Sequence, residues 1–273
     1  MFRWVVLGDN SWLGVDGANW YKVESESSGH YRIESNALKG DFISLFRLDT
    51  DLAEVRVQLK NRGPELEPYL DCLPGLRLMR PTSVRETLFC FLCTANNHLS
   101  RITQMIQKLG AYGDPLYEVA DRKLTVMPSL ETIAAIEEAE LRAAGFGYRA
   151  ATIPRVAHQI LDRGGESWLD LLKTLSYEEA HRELVSLHSV GPKLADCIAL
   201  YGLQHLDSAP IDTHLWQALV RLYFPEWQGK ALTDAKYKEA STFLRGRFGE
   251  LAGYAQQYLY YENLLNWRSR KDR

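Results

Sequence analysis

The stretch from Leu184 to Trp216 constrains this chain more than any other. Its first half reads Leu184-Val-Ser-Leu-His-Ser-Val-Gly-Pro-Lys-Leu-Ala-Asp-Cys-Ile-Ala-Leu200, and its second Ala209-Pro-Ile-Asp-Thr-His-Leu-Trp216. The pattern predicts a helix running toward Leu187, a tight turn at Ser189-Val190-Gly191, and a second helix opening on Pro192. Proline's missing N–H costs nothing at the first helical position. The bare N–H groups at that helix start form a ready anion site, and a DNA phosphate is the natural anion. Lys193 falls in the first turn, where the helix dipole disfavours an ammonium. The expectation is an amine that sheds its proton readily and so acts as a nucleophile. Asp212 follows Pro210 and precedes a helical run, so it reads as an N-cap carboxylate. An amine and a carboxylate at two helix starts, beside a phosphate-binding hairpin, suit chemistry on a sugar carbon.

A chain of 273 residues can bury a large core and hold two domains. Its net charge of −3 and pI of about 6.2 argue against a basic, nonspecific DNA coat. A local cationic groove can still sit on an acidic body. The basic run Arg268-Ser-Arg-Lys-Asp-Arg273 reads first as a solvated terminus and second as a DNA contact. Cys72, Cys90, Cys93 and Cys197 are too few and too irregular for a disulfide framework. Cys90 and Cys93 sit in an apolar helical run and read as buried thiols rather than a metal site. No stretch reaches ~18 apolar residues, and the N-terminal apolar run is too short for a signal peptide. The expectation is a protein that is not secreted and acts where DNA is held, the cytoplasm or nucleoid of a bacterium or the nucleus of a eukaryote.

Residues 1–62 differ from the rest. Arg3–Leu7, Trp20–Val23, His30–Ile33 and Phe42–Leu48 are short β-branched or aromatic runs between Gly, Asn, Asp and Ser. They predict a small antiparallel β domain. Residues 63–273 read as helical. Ser83-Val-Arg-Glu86 and Ser176-Tyr-Glu-Glu179 are capping boxes. Residues 110–128 read as a surface connection with at most one short helix, and Ser129 caps a helix extending to about Ala144. Core helices follow over 150–163 and 167–175, the paired helices at about 178–200, and amphipathic helices from 212 onward. Gln256 and Tyr260 share one face of the last helix.

These segments together resemble the helix-hairpin-helix DNA glycosylases, and most closely the 8-oxoguanine DNA glycosylases. The matching runs are Val190–Cys197, Pro210–Trp216, Phe91–His98 with Arg101-Ile-Thr103, Leu141–Ala150 and Ala252–Gln256, in the family's order over roughly residues 70–265. The resemblance implies a mainly α fold, two helical domains around a DNA-binding cleft, with a small N-terminal antiparallel β domain shorter than the family's. Some members carry an iron–sulfur cluster on four cysteines after the catalytic helices. No cysteine follows Cys197, so neither that cluster nor any other metal or cofactor is expected.

The resemblance also implies roles. Lys193 attacks the sugar C1′ and Asp212 steadies the positive charge. Gln256 bonds the edge of the extruded base, Tyr260 stacks on it in place of the family's phenylalanine, and Cys197 packs against it. Gly17 is the nearest candidate for a glycine carbonyl that reads the lesion. Asn96 fills the gap left by the base, Arg101 and Arg149 meet the orphaned partner, and Tyr148 wedges beside it. Val190 and Gly191 belong to the hairpin, where Ser189 replaces a usual glycine, and His214 lies near a phosphate. His98 departs from the family's asparagine. The implied activity is a bifunctional glycosylase/AP lyase acting as a monomer on double-stranded DNA with a damaged base. Two alternatives stay open: a glycosylase for another damaged base, alkylated purine or oxidised pyrimidine, and a noncatalytic DNA-binding module.

Overall fold

The computed structural model describes residues 3–27, 29–119 and 122–271, the last range without the side chains of residues 262 and 264–271. The basic side chains of Arg268 to Arg273 therefore lie outside the described residues. The fold is mainly helical with one small sheet at the N-terminus. Strands β1 (Trp4–Gly8), β2 (Ser11–Asp16), β3 (Asn19–Ser25) and β4 (Tyr31–Ser35) form an antiparallel meander in sequence order. Asp16 pairs with Asn19 across a two-residue turn, whose first residue, Gly17, takes a φ of +58° that glycine adopts without strain.

The sheet stops at Ser35. Phe42–Leu48, expected as a strand, instead lies in and just beyond helix α1 (Lys39–Leu45). Its apolar residues Phe42, Leu45 and Phe46 recur at helical spacing and pack on Tyr21, Val23 and Trp4 of the sheet. Asp41 closes the helix start by accepting from the Leu38 N–H at 3.0 Å. Helix α2 (Leu52–Arg62) already belongs to the helical body. Sheet and body are tied by the buried Arg3–Glu86 ion pair at 3.1 Å and by Asp16, which accepts from the Thr82 N–H.

The body has two hydrophobic cores. The first gathers α4 (Val84–Leu92), α5 (Leu99–Gly110), α6 (Leu130–Ala134), α7 (Glu138–Ala143), α8 (Arg149–Asp162), α9 (Glu166–Leu172), α10 (Tyr177–Val185) and α11 (Pro192–Ile198). The second gathers α2, α3 (Glu67–Cys72), α12 (Thr213–Leu222), α13 (Asp234–Phe248) and α14 (Ala252–Lys271). Between α11 and the second core runs a π-helical turn, Ala199–Leu203. Ala199 packs in the first core, Leu200 in the second, and Tyr201 against both.

Three local expectations are corrected. Residues 110–128 hold a β-hairpin, β5 (Pro115–Val119) and β6 (Arg122–Thr125), rather than a short helix. Tyr117 of β5 stacks on Trp20 of the sheet at 3.7 Å, a tertiary contact that local sequence does not reveal. The single helix expected over 129–144 is broken into α6 and α7, because the chain turns Ile136 into the first core. Ser83 caps α4 by accepting from the Glu86 N–H, but the Glu86 carboxyl goes to Arg3, so the capping box is only half formed. The Ser176 box is complete.

Helix α14 reaches the rest of the body through Gly253, whose N–H donates to the Leu206 carbonyl at 2.8 Å. A Cβ there would meet the Leu200 side chain at 2.4 Å and the Leu206 carbonyl oxygen at 2.9 Å. Alanine's helix propensity, worth about 1 kcal/mol over glycine, is outweighed by overpacking of about 1–3 kcal/mol. Gly253→Ala should therefore lower the thermal unfolding midpoint in calorimetry. An unchanged or raised midpoint would contradict this packing.

Candidate active site

Helix α11 starts where the hairpin ends. Ser189 adopts a left-handed φ of +60°, so the turn keeps its shape although glycine is missing. That conformation costs a non-glycine residue roughly 1–2 kcal/mol. Gly191 is the extended N-cap of α11 and is exposed. Val190 is buried in the first core and its N–H is taken by the Leu187 carbonyl at 3.1 Å. The hairpin therefore offers Ser189 and Gly191 to the surface, not the Val190 side chain.

Lys193 is half-buried in the first turn of α11, beside Cys197 one turn on, and close enough to Asp212 to feel its charge. The Lys193 amine is shifted upward from its ordinary value, first by the Cys197 sulfur, against the pull of burial, and then by Asp212. This reverses the lowered value expected from the dipole of a single helix. The seven-residue α11 has a weak dipole, and the neighbours favour the charge more strongly. Burial in turn pushes the Cys197 thiol up, against Lys193. Asp212 is the N-cap of α12, as its sequence context predicts, and accepts from the Leu215 N–H at 2.8 Å.

The wall beside this pair comes from α12 and α14. His214 meets Tyr260 edge-on at 5.7 Å, and Asn263 lies 3.4 Å from His214 Nδ1. Gln256 is buried, and its Oε1 has no hydrogen-bond partner among the described residues. Tyr201, four residues beyond Cys197, stacks on Phe91 at 5.8 Å and donates to Gln257 at 2.6 Å. Sequence reading passed over Tyr201. Its signal was the four-residue spacing of Lys193, Cys197 and Tyr201, which runs from α11 into the π-helical turn.

Asn96, Arg101, Tyr148 and Arg149 form a second cluster. Asn96 is exposed at a left-handed φ of +46°. Arg101 donates to the Gly145 carbonyl at 3.1 Å, and the half-exposed Tyr148 reaches the Ala95 carbonyl at 3.4 Å. Arg149, expected to enter the orphan pocket with Tyr148, is not exposed in the unbound protein. It is buried beneath the Tyr148 ring, 4.5 Å from its centroid, and donates through Nε to the Leu92 carbonyl. Its Nη2 is buried without a partner among the described residues, which is a costly state. A Cβ on Gly17 would meet Thr82, just before α4.

Known proteins resemble this chain over most of its length. The chain is 29% identical over 272 residues to the N-glycosylase/DNA lyase OGG1 of Arabidopsis thaliana, covering 96% of this chain and 74% of that protein. It is 32% identical over 203 residues to the N-glycosylase/DNA lyase of Saccharomyces cerevisiae, covering 69% of this chain and 52% of that one. The 8-oxoguanine glycosylase/lyase of Clostridium acetobutylicum, solved with double-stranded DNA containing cytosine opposite 8-oxoG, superposes with a TM-score of 0.85 at 27% identity, over 97% of this chain and 89% of that one. The family model described as HhH-GPD superfamily base excision DNA repair protein matches residues 89–241, the span from α4 to α13 that holds Lys193 and Asp212. The chain belongs to the HhH-GPD superfamily of base excision DNA repair proteins.

Proposed function

We propose that this protein is a bifunctional DNA glycosylase and AP lyase that extrudes 8-oxoguanine from duplex DNA and removes it. The observation that carries the reading is Lys193, an amine at a helix start within electrostatic reach of Asp212. It gains weight from similarity, over nearly the whole chain, to proteins named as N-glycosylase/DNA lyase and 8-oxoguanine glycosylase/lyase.

The target carbon lies inside the duplex, so the nucleotide must leave the stack at a cost of a few kcal/mol. Gly191 and the α11 start take a phosphate, with His214 near another. Asn96 and Tyr148 fill and wedge the gap, and Arg101 and Arg149 meet the orphaned base. Arg149 must swing out to do so, which frees its unpaired Nη2 from burial. Gln256 Oε1, a buried acceptor without a partner among the described residues, suits a donor on the base edge. Tyr260 and Cys197 flank the base, and Gly17, in the N-terminal segment 1–62, is the candidate carbonyl for reading it.

The Lys193 amine attacks C1′ as the C1′–N9 bond breaks, and the base departs with that electron pair and takes up a proton. Positive charge builds on the sugar, and Asp212 stabilises it. The nitrogen loses its proton, the ring opens to a Schiff base, and loss of a C2′ proton expels the 3′ phosphate. Duplex DNA with a damaged base is the partner, and the protein acts as a monomer wherever its host holds DNA.

Lys193→Gln should abolish both base release and borohydride trapping on an 8-oxoguanine:cytosine duplex. Persistent trapping would refute the nucleophile. Asp212→Asn should slow single-turnover base release by about 10²–10³-fold, the scale of one preorganised charge, with DNA affinity little changed in a binding titration. An unchanged rate would remove Asp212 from the chemistry. Since Lys193 is shifted upward, its neutral form is the minor one at pH 6–9 and grows roughly tenfold per pH unit. Trapping on a preformed abasic duplex should accelerate with that slope, whereas a plateau near neutrality would mean a depressed amine.

A further inference from the structure

Helix α11 carries a second ionisable side chain that the chemistry above does not use. Asp196 stands three residues after Lys193 and is completely buried. Its carboxyl group is surrounded by donors from three other segments. The Tyr177 hydroxyl of α10 donates to Oδ1 at 2.5 Å, and the Tyr237 hydroxyl of α13 donates to Oδ2 at 2.5 Å. The Ser208 hydroxyl, in the loop before α12, is shared between Oδ1 at 3.1 Å and the Asp196 carbonyl at 2.9 Å. His181 Nε2 lies 3.7 Å from Oδ1.

One of these contacts continues toward the active site. The Tyr237 hydroxyl, which donates to Asp196, also accepts from the Ile211 N–H at 3.4 Å. Ile211 is buried and immediately precedes Asp212. A chain of two hydrogen bonds thus links the helix that bears Lys193 to the backbone that bears Asp212. Both bonds lie in the interior, where water does not compete for them. The Tyr177 contact leads elsewhere: it ties α11 to α10, and its ring lies under Arg245 of α13 rather than against the backbone before Asp212.

We propose that Asp196 is a positioning residue: through Tyr237 it sets where the chain enters α12, and so where the Asp212 carboxylate stands relative to the Lys193 amine. The inference rests on the glycosylase/lyase reading above. Loss of the Tyr237 hydroxyl lets Ile211 and Asp212 shift while α11 keeps its place through Tyr177 and Ser208.

The two half-reactions separate this role from a purely structural one. Base release needs both Lys193 and Asp212, whereas trapping at a preformed abasic site needs only the amine. Tyr237→Phe keeps the ring packed and removes the relay. It should slow single-turnover release from an 8-oxoguanine:cytosine duplex by about 10- to 100-fold, the effect of a small misplacement, with trapping on abasic DNA within about twofold of wild type. Tyr177→Phe removes an equivalent bond to the same carboxyl group and should leave the ratio of release to trapping unchanged. Melting temperatures are measured for both variants. The proposal is overturned if Tyr237→Phe leaves release unchanged, or if both variants lower release and trapping in parallel with their melting temperatures. A wild-type protein that neither releases the base nor traps would instead sink the glycosylase/lyase reading, and this inference with it.

Discussion

Helix α11 and the π-helical turn after it are packed into both hydrophobic cores, and the rest of the site depends on that shared packing. Leu194, Ala195 and Ile198 belong to the first core, while Leu200 belongs to the second. A helix held from both sides cannot rotate or slide without opening one core. Lys193, at its start, is therefore presented at the seam between the two halves. Asp212 comes to the same seam as the N-cap of a helix rooted in the second core. Amine and carboxylate thus come within electrostatic reach because two packed cores are joined along one short segment.

This placement explains why Lys193 keeps its charge while half-buried. Burial alone would drive the amine toward neutrality. The Cys197 sulfur and Asp212 oppose that and win. An ammonium in the resting protein is compatible with nucleophilic attack, since only the fraction that loses its proton needs to react. It also suits a site that must attract a phosphodiester strand on a chain of net charge −3. Local cation placement, rather than overall charge, does the steering.

Much of this was legible in the sequence, for identifiable reasons. Pro192 and Gly191 fixed the start of α11, Asp212 announced its own cap, and the Ser176 box announced α10. All are local signals, settled within one turn of backbone. The misreadings came where tertiary contacts decided. Phe42, Leu45 and Phe46 suit a strand by composition, but the sheet needed a helical face to cover Tyr21 and Val23. Strands β5 and β6 pair with each other, and Tyr117 stacks on Trp20, a partner about a hundred positions away. The Lys193 shift depended on a sulfur and a carboxylate that dipole reasoning on one helix leaves out. Arg149 lies under Tyr148, a burial that only the folded chain reveals.

The central claim is that Lys193 is the amine that bonds the sugar. Its most direct test is peptide mapping by mass spectrometry of the protein after borohydride reduction on an 8-oxoguanine:cytosine duplex. A nucleotide-derived adduct is expected on the peptide containing Lys193 and on no other. An adduct on another lysine or on the N-terminal amine, with the Lys193 peptide unmodified, would contradict it.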